Sequence, residues 1–384
     1  MSKAIVSIAK CSHYKLQEIA EALKALLEPF GGLEYFVRPQ DKVLIKINLL
    51  RSATPDKAVT THPVVAEAVI SAVKDLGATP IIGDSPGGTN TPRQIKNIVE
   101  ATGIADVCRR TETELVIFDR DPVRIKSPEG KLYTSFTVGR IVRDADVIIT
   151  LPKLKTHGFM KFTGAVKILF GVIPGMEKAQ YHLKVPDRMD FADMLLDIYL
   201  AVKPTLSIMD AVVGMEGEGP SGGEPRHIGV LLAATNAIAM DFVASKIIGF
   251  DPLDVYTNRA AVYRGLIAGL DEISIRGLQI QDIILNDFKA PSSDLADKIP
   301  PRLVKFMKNL VTAKPFLAAP EACTGCGICK QNCPSKAITI SNKRPHFDFD
   351  KCIRCYCCEE LCAELAIKRK NHWLASLLAN YLSN

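Results

Sequence analysis

The sequence holds a single tryptophan and almost no imbalance of charge. Its 48 Lys and Arg stand against 42 Asp and Glu, for a formal net charge of +6. No block of about five like charges accompanies that excess, which argues against a dedicated nucleic-acid binder and leaves small anions as plausible ligands. No apolar run of roughly 18 residues is free of charge, so no membrane-spanning helix is expected. The opening MSKAIVSIAKCSHYK lacks the apolar core and cleavage site of a signal peptide, so the expected compartment is the cytoplasm. Charged residues make up only 23% and hydrophobic ones 47%, which excludes a disordered chain. At about 100–150 residues per domain, the length implies two or three domains.

Cysteine is what the chain has in abundance. Of eleven cysteines, eight fall into two runs, CTGCGICKQNCP and CIRCYCCEELCA. The first supplies Cys323, Cys326, Cys329 and Cys333; the second supplies Cys352, Cys355, Cys358 and Cys362. Each cysteine of the first run recurs 29 positions later, and so does the pair Ala337–Ile338, as Ala366–Ile367. The halves read as two copies of one supersecondary unit. Clustered thiolates in an intracellular chain are metal or redox ligands before they are disulfides.

C-x-x-C-x-x-C-x-x-x-C-P is the run that binds 4Fe-4S clusters, with its fourth cysteine given to the other cluster. Cys323, Cys326, Cys329 and Cys362 should therefore hold one cluster, and Cys352, Cys355, Cys358 and Cys333 the second. Zinc ribbons use C-x-x-C pairs without the third and fourth members. Residues 321–370 thus resemble a bacterial-type two-cluster ferredoxin domain, which implies one-electron transfer at low potential. Ala363 replaces a proline common in such domains, and Cys357 is an extra thiol beside a ligand.

The preceding 290 residues alternate strand-like and helix-like segments. VLIKI (43–47) is a β-branched apolar run suited to a strand buried on both faces. Pro63 opens a helix capped by Thr61 or His62, with Gly77 at its end. PIIG, DVIIT (146–150), TLSIM (205–209) and IGVLLA (228–233) continue the strands, and a helix is expected near 237–248. The fold class is α/β, a largely parallel or mixed sheet flanked by helices (1–290), plus a small α+β ferredoxin-like domain (321–370). Between them, 291–320 reads as a linker with one amphipathic helix, and 371–384 as a C-terminal amphipathic helix.

Open α/β sheets bind ligands beyond the carboxyl ends of their strands. Lys46 and Asn48 end one strand, and Asp84, Ser85, Gly87 and Gly88 follow another in a turn able to wrap a phosphate or ribose. Lys153, Lys155 and His157 alternate after DVIIT, so an extended chain puts them on one face. Lys161, Lys167, His182 and Lys184 add basic groups. Asp210, at a strand end, and Glu216 and Glu218, in a glycine-rich loop, supply opposite charge. Asp241 is an acid on an apolar helix face and needs a partner.

The blocks IKINLL, TTHP, GDSPG, LPKLKTHG, TGAVKILFGVIPG, MDAVVGMEGEGPSGG and AMDFVASKIIG together resemble the family known as domain of unknown function 362. Members of that family are often fused to two-cluster ferredoxin domains. By this resemblance Lys46, Asp84, Lys153, Lys155, His157, Lys167, Asp210 and Asp241 fall in its motif blocks.

The expected function is an iron–sulfur oxidoreductase. Two 4Fe-4S clusters would take electrons from a ferredoxin, flavodoxin or reductase and pass them to an anion held by Lys153, Lys155 and Lys167. Lys46, Asn48, Asp84 and Ser85 would help bind it. Asp210 would balance the lysines, and His157 would donate the proton. Two other classes stay open at this stage: a non-catalytic electron-transfer subunit or redox sensor, and a redox-sensing transferase or ligase.

Overall fold

The computed structural model describes residues 3–292 and 312–370. The expected linker helix and the C-terminal helix 371–384 lie outside the described residues. The module's first strand, Lys314–Leu317, falls inside the segment read as linker.

Ten strands form the main sheet. Five lie side by side and parallel: Leu206–Glu216, Val147–Thr150, Lys42–Lys46, Thr79–Asp84 and Glu114–Ile117. Glu224–Ala234 then runs antiparallel between Leu206–Glu216 and the first strand, Ala4–Lys10. Ile273–Gly277 closes that side, parallel to Ala4–Lys10. Period-2 alternation explains why VLIKI is apolar throughout. Val43 and Ile45 enter one core with the helices Leu16–Leu27 and Pro63–Asp75, while Leu44 enters the other with Arg188–Val202 and Ala237–Ile247. Lys46 continues the Leu44 face and so emerges at the strand's end. The helix Pro63–Asp75 begins where its proline fits the first turn. The His62 ring Nδ1 accepts from Val64 N–H at 3.3 Å.

One expectation is corrected. Asp210 does not end a strand, because Leu206–Glu216 continues through half of the glycine-rich segment. A bulge at Ala211/Val213 lets the strand trade partners. It leaves Val147–Thr150 after Ser207 and takes up Lys153–His157 from Asp210 onward. Only residues 217–223 remain as loop.

In the C-terminal module the 29-residue repeat is structural. Lys314–Leu317 pairs with Ile367–Lys370, and Ile338–Ser341 with Arg344–Phe347. The short helices Ile328–Gln331 and Cys357–Glu360 occupy equivalent places. Gly325 and Gly327 have φ of 70° and 77°; their counterparts Arg354 and Tyr356 keep 64° and 62°. A side chain in this region costs roughly 1–2 kcal/mol. The second copy offsets that with packing. Arg354 lies 5.1 Å over the Phe349 ring, and buried Tyr356 donates its hydroxyl to Ala313 O at 3.1 Å.

Candidate functional site

A cavity of about 120 Å³ lies between the carboxyl ends of the Lys42–Lys46 and Thr79–Asp84 strands and the C-terminal module. The α/β side contributes Lys46, Asn48, Asp84, Ser85, Lys155, Lys167 and Lys178; the module contributes Asn332, Cys357, Glu360 and Leu361. Four lysines thus face two carboxylates.

The lysines are not equivalent. Lys46 Nζ donates to Asp84 Oδ1 at 2.7 Å and to Ile47 O, so this buried pair is neutral overall. Asp84 also accepts from Leu49 and Ser85 N–H, which fixes the turn that follows. Lys178, on the helix Gly175–Lys184, donates to Ser85 O and Oγ and to Pro86 O. Burial brings its pKa down to about 8, against the pull of Asp84 and Asp119. Lys155 donates to a carbonyl, Val59 O, at 2.5 Å. Burial, then the charge of Lys167, pushes its pKa well below the usual lysine range. Burial lowers Lys167 too, with Glu360 opposing. Lys155 and Lys167 are therefore the lysines whose charged form a bound anion would most stabilise. Asp241 positions Lys167: it accepts from Ala165 and Val166 N–H at 2.6 and 3.0 Å, capping the turn that carries the lysine.

Lys153, Asp210 and His157 do not line the cavity. Lys153 Nζ sits 2.8 Å from Asp210 Oδ2, both fully buried. Tyr14 donates its hydroxyl to Asp210 and accepts from Lys153, and His62 N–H donates to the same carboxylate. Lys153 and Asp210, expected among the substrate-site residues, pair with each other in the core and do not reach the cavity. His157 uses Nδ1 to accept from Phe159 and Met160 N–H. Nε2 then carries the proton and faces Glu360 Oε1 at 3.3 Å. Burial and the charges of Lys167 and Lys155 hold its pKa well below 6.5, so it is neutral. The side chain expected to donate a proton thus meets the module's Glu360 and lies outside the cavity lining.

The module is docked closely. Ser221 Oγ donates to Glu360 O at 2.8 Å, and Arg51 donates to Ser221 O. Arg369 pairs with Glu218 and, through Nε, with Glu359 at 2.8 Å. Gly87 and Gly158 have no room for a Cβ, being filled by Leu361 and the Arg369 guanidinium. Lys178, Glu360, Arg51 and Arg369 escaped the sequence reading. Only the acidic pair inside CCEELC hinted at a role.

The soft thiolates of the two cysteine runs suit iron–sulfur clusters. Cys329 feels the charges of Cys326, Cys362 and Cys323, while Cys358 feels those of Cys355, Cys352 and Cys333. Those neighbourhoods are the two quartets expected from the spacing. None of the eight is in a disulfide. Among the described residues, no three His, Cys, Asp or Glu close on one metal ion. A 4Fe-4S cube takes its four thiolates at separate irons.

Residues 43–246 match a domain of unknown function (DUF362), and residues 316–363 match a 4Fe-4S dicluster domain. A thylakoid-associated protein of Synechocystis sp. is 33% identical over 287 residues, spanning 74% of this chain and 87% of that protein. Among solved structures, the lactate racemase apoprotein of Thermoanaerobacterium thermosaccharolyticum is 14% identical with a TM-score of 0.40. A Thermotoga maritima protein is 15% identical with a TM-score of 0.36. The matches cover 62% and 66% of this chain but only 55% and 59% of those structures, little more than half their length. Among the described residues no helix is long and apolar enough to cross a membrane. The chain belongs to the DUF362 family and carries a ferredoxin-type 4Fe-4S domain after it.

Proposed function

We propose that the protein is an iron–sulfur oxidoreductase that reduces a small anion held between its two domains. One observation carries this reading. The cavity's lysines belong to the α/β domain, while its facing wall is the helix Cys357–Glu360 and Leu361, set within the second cysteine run. Cys323, Cys326, Cys329 and Cys362 would hold one cluster, and Cys352, Cys355, Cys358 and Cys333 the other. Bound clusters supply single electrons at a potential tuned by their surroundings. Lys155 and Lys167 bind the anion and stabilise charge that builds on it. Lys46–Asp84 and Asn48 shape the floor. Lys178, whose pKa burial brings down to about 8, holds the Ser85 turn and can exchange a proton near neutrality.

Anaerobic reoxidation tests this. The protein is reduced, freed of excess reductant, and exposed to fractionated small anions while cluster absorbance is followed. Recovery with one fraction is expected. Lys155→Ala, with iron content unchanged, should weaken the response by roughly 10- to 150-fold, the worth of one charged hydrogen bond. No recovery with any fraction, alongside rapid reoxidation by a partner protein, would instead make this an electron-transfer subunit.

The same binding has a pH signature. An anion is favoured by charged lysine, and Lys178 loses its charge as pH rises through about 8. Affinity for the active fraction, measured calorimetrically, should hold from pH 6.5 to 7.5 and fall above 8. Affinity that climbs above pH 8 would remove Lys178 from the site.

A further inference from the structure

The two halves of the cluster module share a backbone but not a surface. In the second run Cys357 and Cys358 are buried, Tyr356 is 3% exposed, and the following helix faces the cavity. In the first run Cys326 is exposed, in a loop of Thr324, Gly325 and Gly327 that carries no bulky side chain. Lys343 packs against Gly325, and Arg344 Nη1 donates to Cys323 O at 2.6 Å, so both border that loop. Lys330 follows on the next helix, with Lys330 and Lys343 both exposed. From Ala318 to Phe347 four cationic side chains, the fourth being Lys336, stand against one acidic one, Glu321.

We propose that the Cys326 loop and its rim of Lys330, Lys343 and Arg344 form the docking surface for an acidic one-electron carrier protein. Electrons would then enter at the first-run face and leave at the second-run face, beside the cavity. This rests on the oxidoreductase reading for its direction but not for the contact itself. The chemistry is balanced one electron at a time. The reduced carrier loses one electron and the first cluster gains it, with no bond made or broken. Complementary charge speeds encounter between such partners, and salt weakens it. A thin, side-chain-poor loop over the ligating cysteine is where a carrier's own redox group comes nearest.

The probe is flavodoxin, an acidic flavin protein. Its oxidised form is titrated calorimetrically into the holoprotein, and its reduced form is mixed with it in stopped flow. Binding is expected at low ionic strength and should vanish by about 0.5 M salt, where the screening length is a few Å. Lys330→Glu/Lys343→Glu should weaken binding at least tenfold and slow cluster reduction by flavodoxin at least tenfold. Reduction by dithionite and iron content should not change. Lys330→Gln/Lys343→Gln should give a smaller loss of the same sign, and it serves if the charge-reversed protein loses iron. Lys15→Glu/Lys24→Glu, two exposed sites on the α/β domain, makes the same change of net charge as the charge-reversed rim variant and serves as its control. Equal behaviour of that variant and this control, or binding indifferent to salt, would overturn the proposal. Because the readouts are carrier binding and cluster reduction, failure of the cavity to accept any anion would leave this result intact.

Discussion

Asp210→Ala should lower stability by about 3–5 kcal/mol, the cost of leaving a buried charge without its partner. The substitution strands Lys153, whose ammonium is fully buried beside that carboxylate. It also removes the acceptor for the Tyr14 hydroxyl and the His62 N–H, which lies at the N-terminus of the Pro63–Asp75 helix. Asp210→Asn keeps the shape and part of the hydrogen bonding, and should lose less. Anaerobic urea denaturation followed by circular dichroism makes the comparison. A loss below about 1 kcal/mol for the alanine variant would mean that Lys153 finds another partner or sheds its proton without strain. The same experiment decides what Asp210 is for. A counter-ion in the core sets stability, and whatever variant protein stays folded should keep its affinity for the cavity's anion.

Cys362→Ala should halve the iron. The spacing assigns Cys362 to the cluster of the other run, with Cys323, Cys326 and Cys329, and the charges acting on Cys329 include those of Cys326, Cys362 and Cys323. Iron should fall from roughly eight atoms per chain to roughly four, with the survivors on the second quartet. Cys357→Ala is the matched control. It stands one residue before a ligand, lines the cavity, and belongs to neither quartet, so its variant should keep full iron. Iron and sulfide assays with electron paramagnetic resonance read both. Full iron in the Cys362 variant, or half in the Cys357 variant, would break the crossed assignment. The docked face should loosen too, because Leu361, adjacent to Cys362, fills the space over Gly87.

Much of the architecture is legible wherever one residue type has one physical use. VLIKI must be buried on both faces, Pro63 must open a helix, and cysteines repeating every 29 residues must build one unit twice. The strand through Asp210 and Glu216 was hidden because glycines at 214 and 217 read as loop. A bulge and a change of strand partner, neither visible in one sequence, absorb the first of them. The cavity was half legible. Lys46, Asp84, Ser85, Lys155 and Lys167 stand out as polar groups at strand ends, and the structure brings them together. Lys153 and His157 share their strand and looked equal to Lys155. What separates them is where Asp210 and Glu360 lie, 57 and 203 residues away in sequence. Pairing across such distances leaves no local trace, so the wall formed by the C-terminal module could not be read from spacing.

The place of the first strand governs how the chain can be made. Ala4–Lys10 is an interior strand, bonded on one side to residues 230–234 and on the other to residues 273–277. Translated before either neighbour, it stays unpaired until residues 230–277 have been made. Such long-range closure is slow and leaves apolar edges open meanwhile. Folding should therefore finish late, around this strand. The cysteine-rich module, translated after every strand of that sheet, reaches its berth on the α/β domain only as the sheet closes. A cell producing this protein in quantity would need to shield the unfinished sheet and deliver iron and sulfide within the same interval.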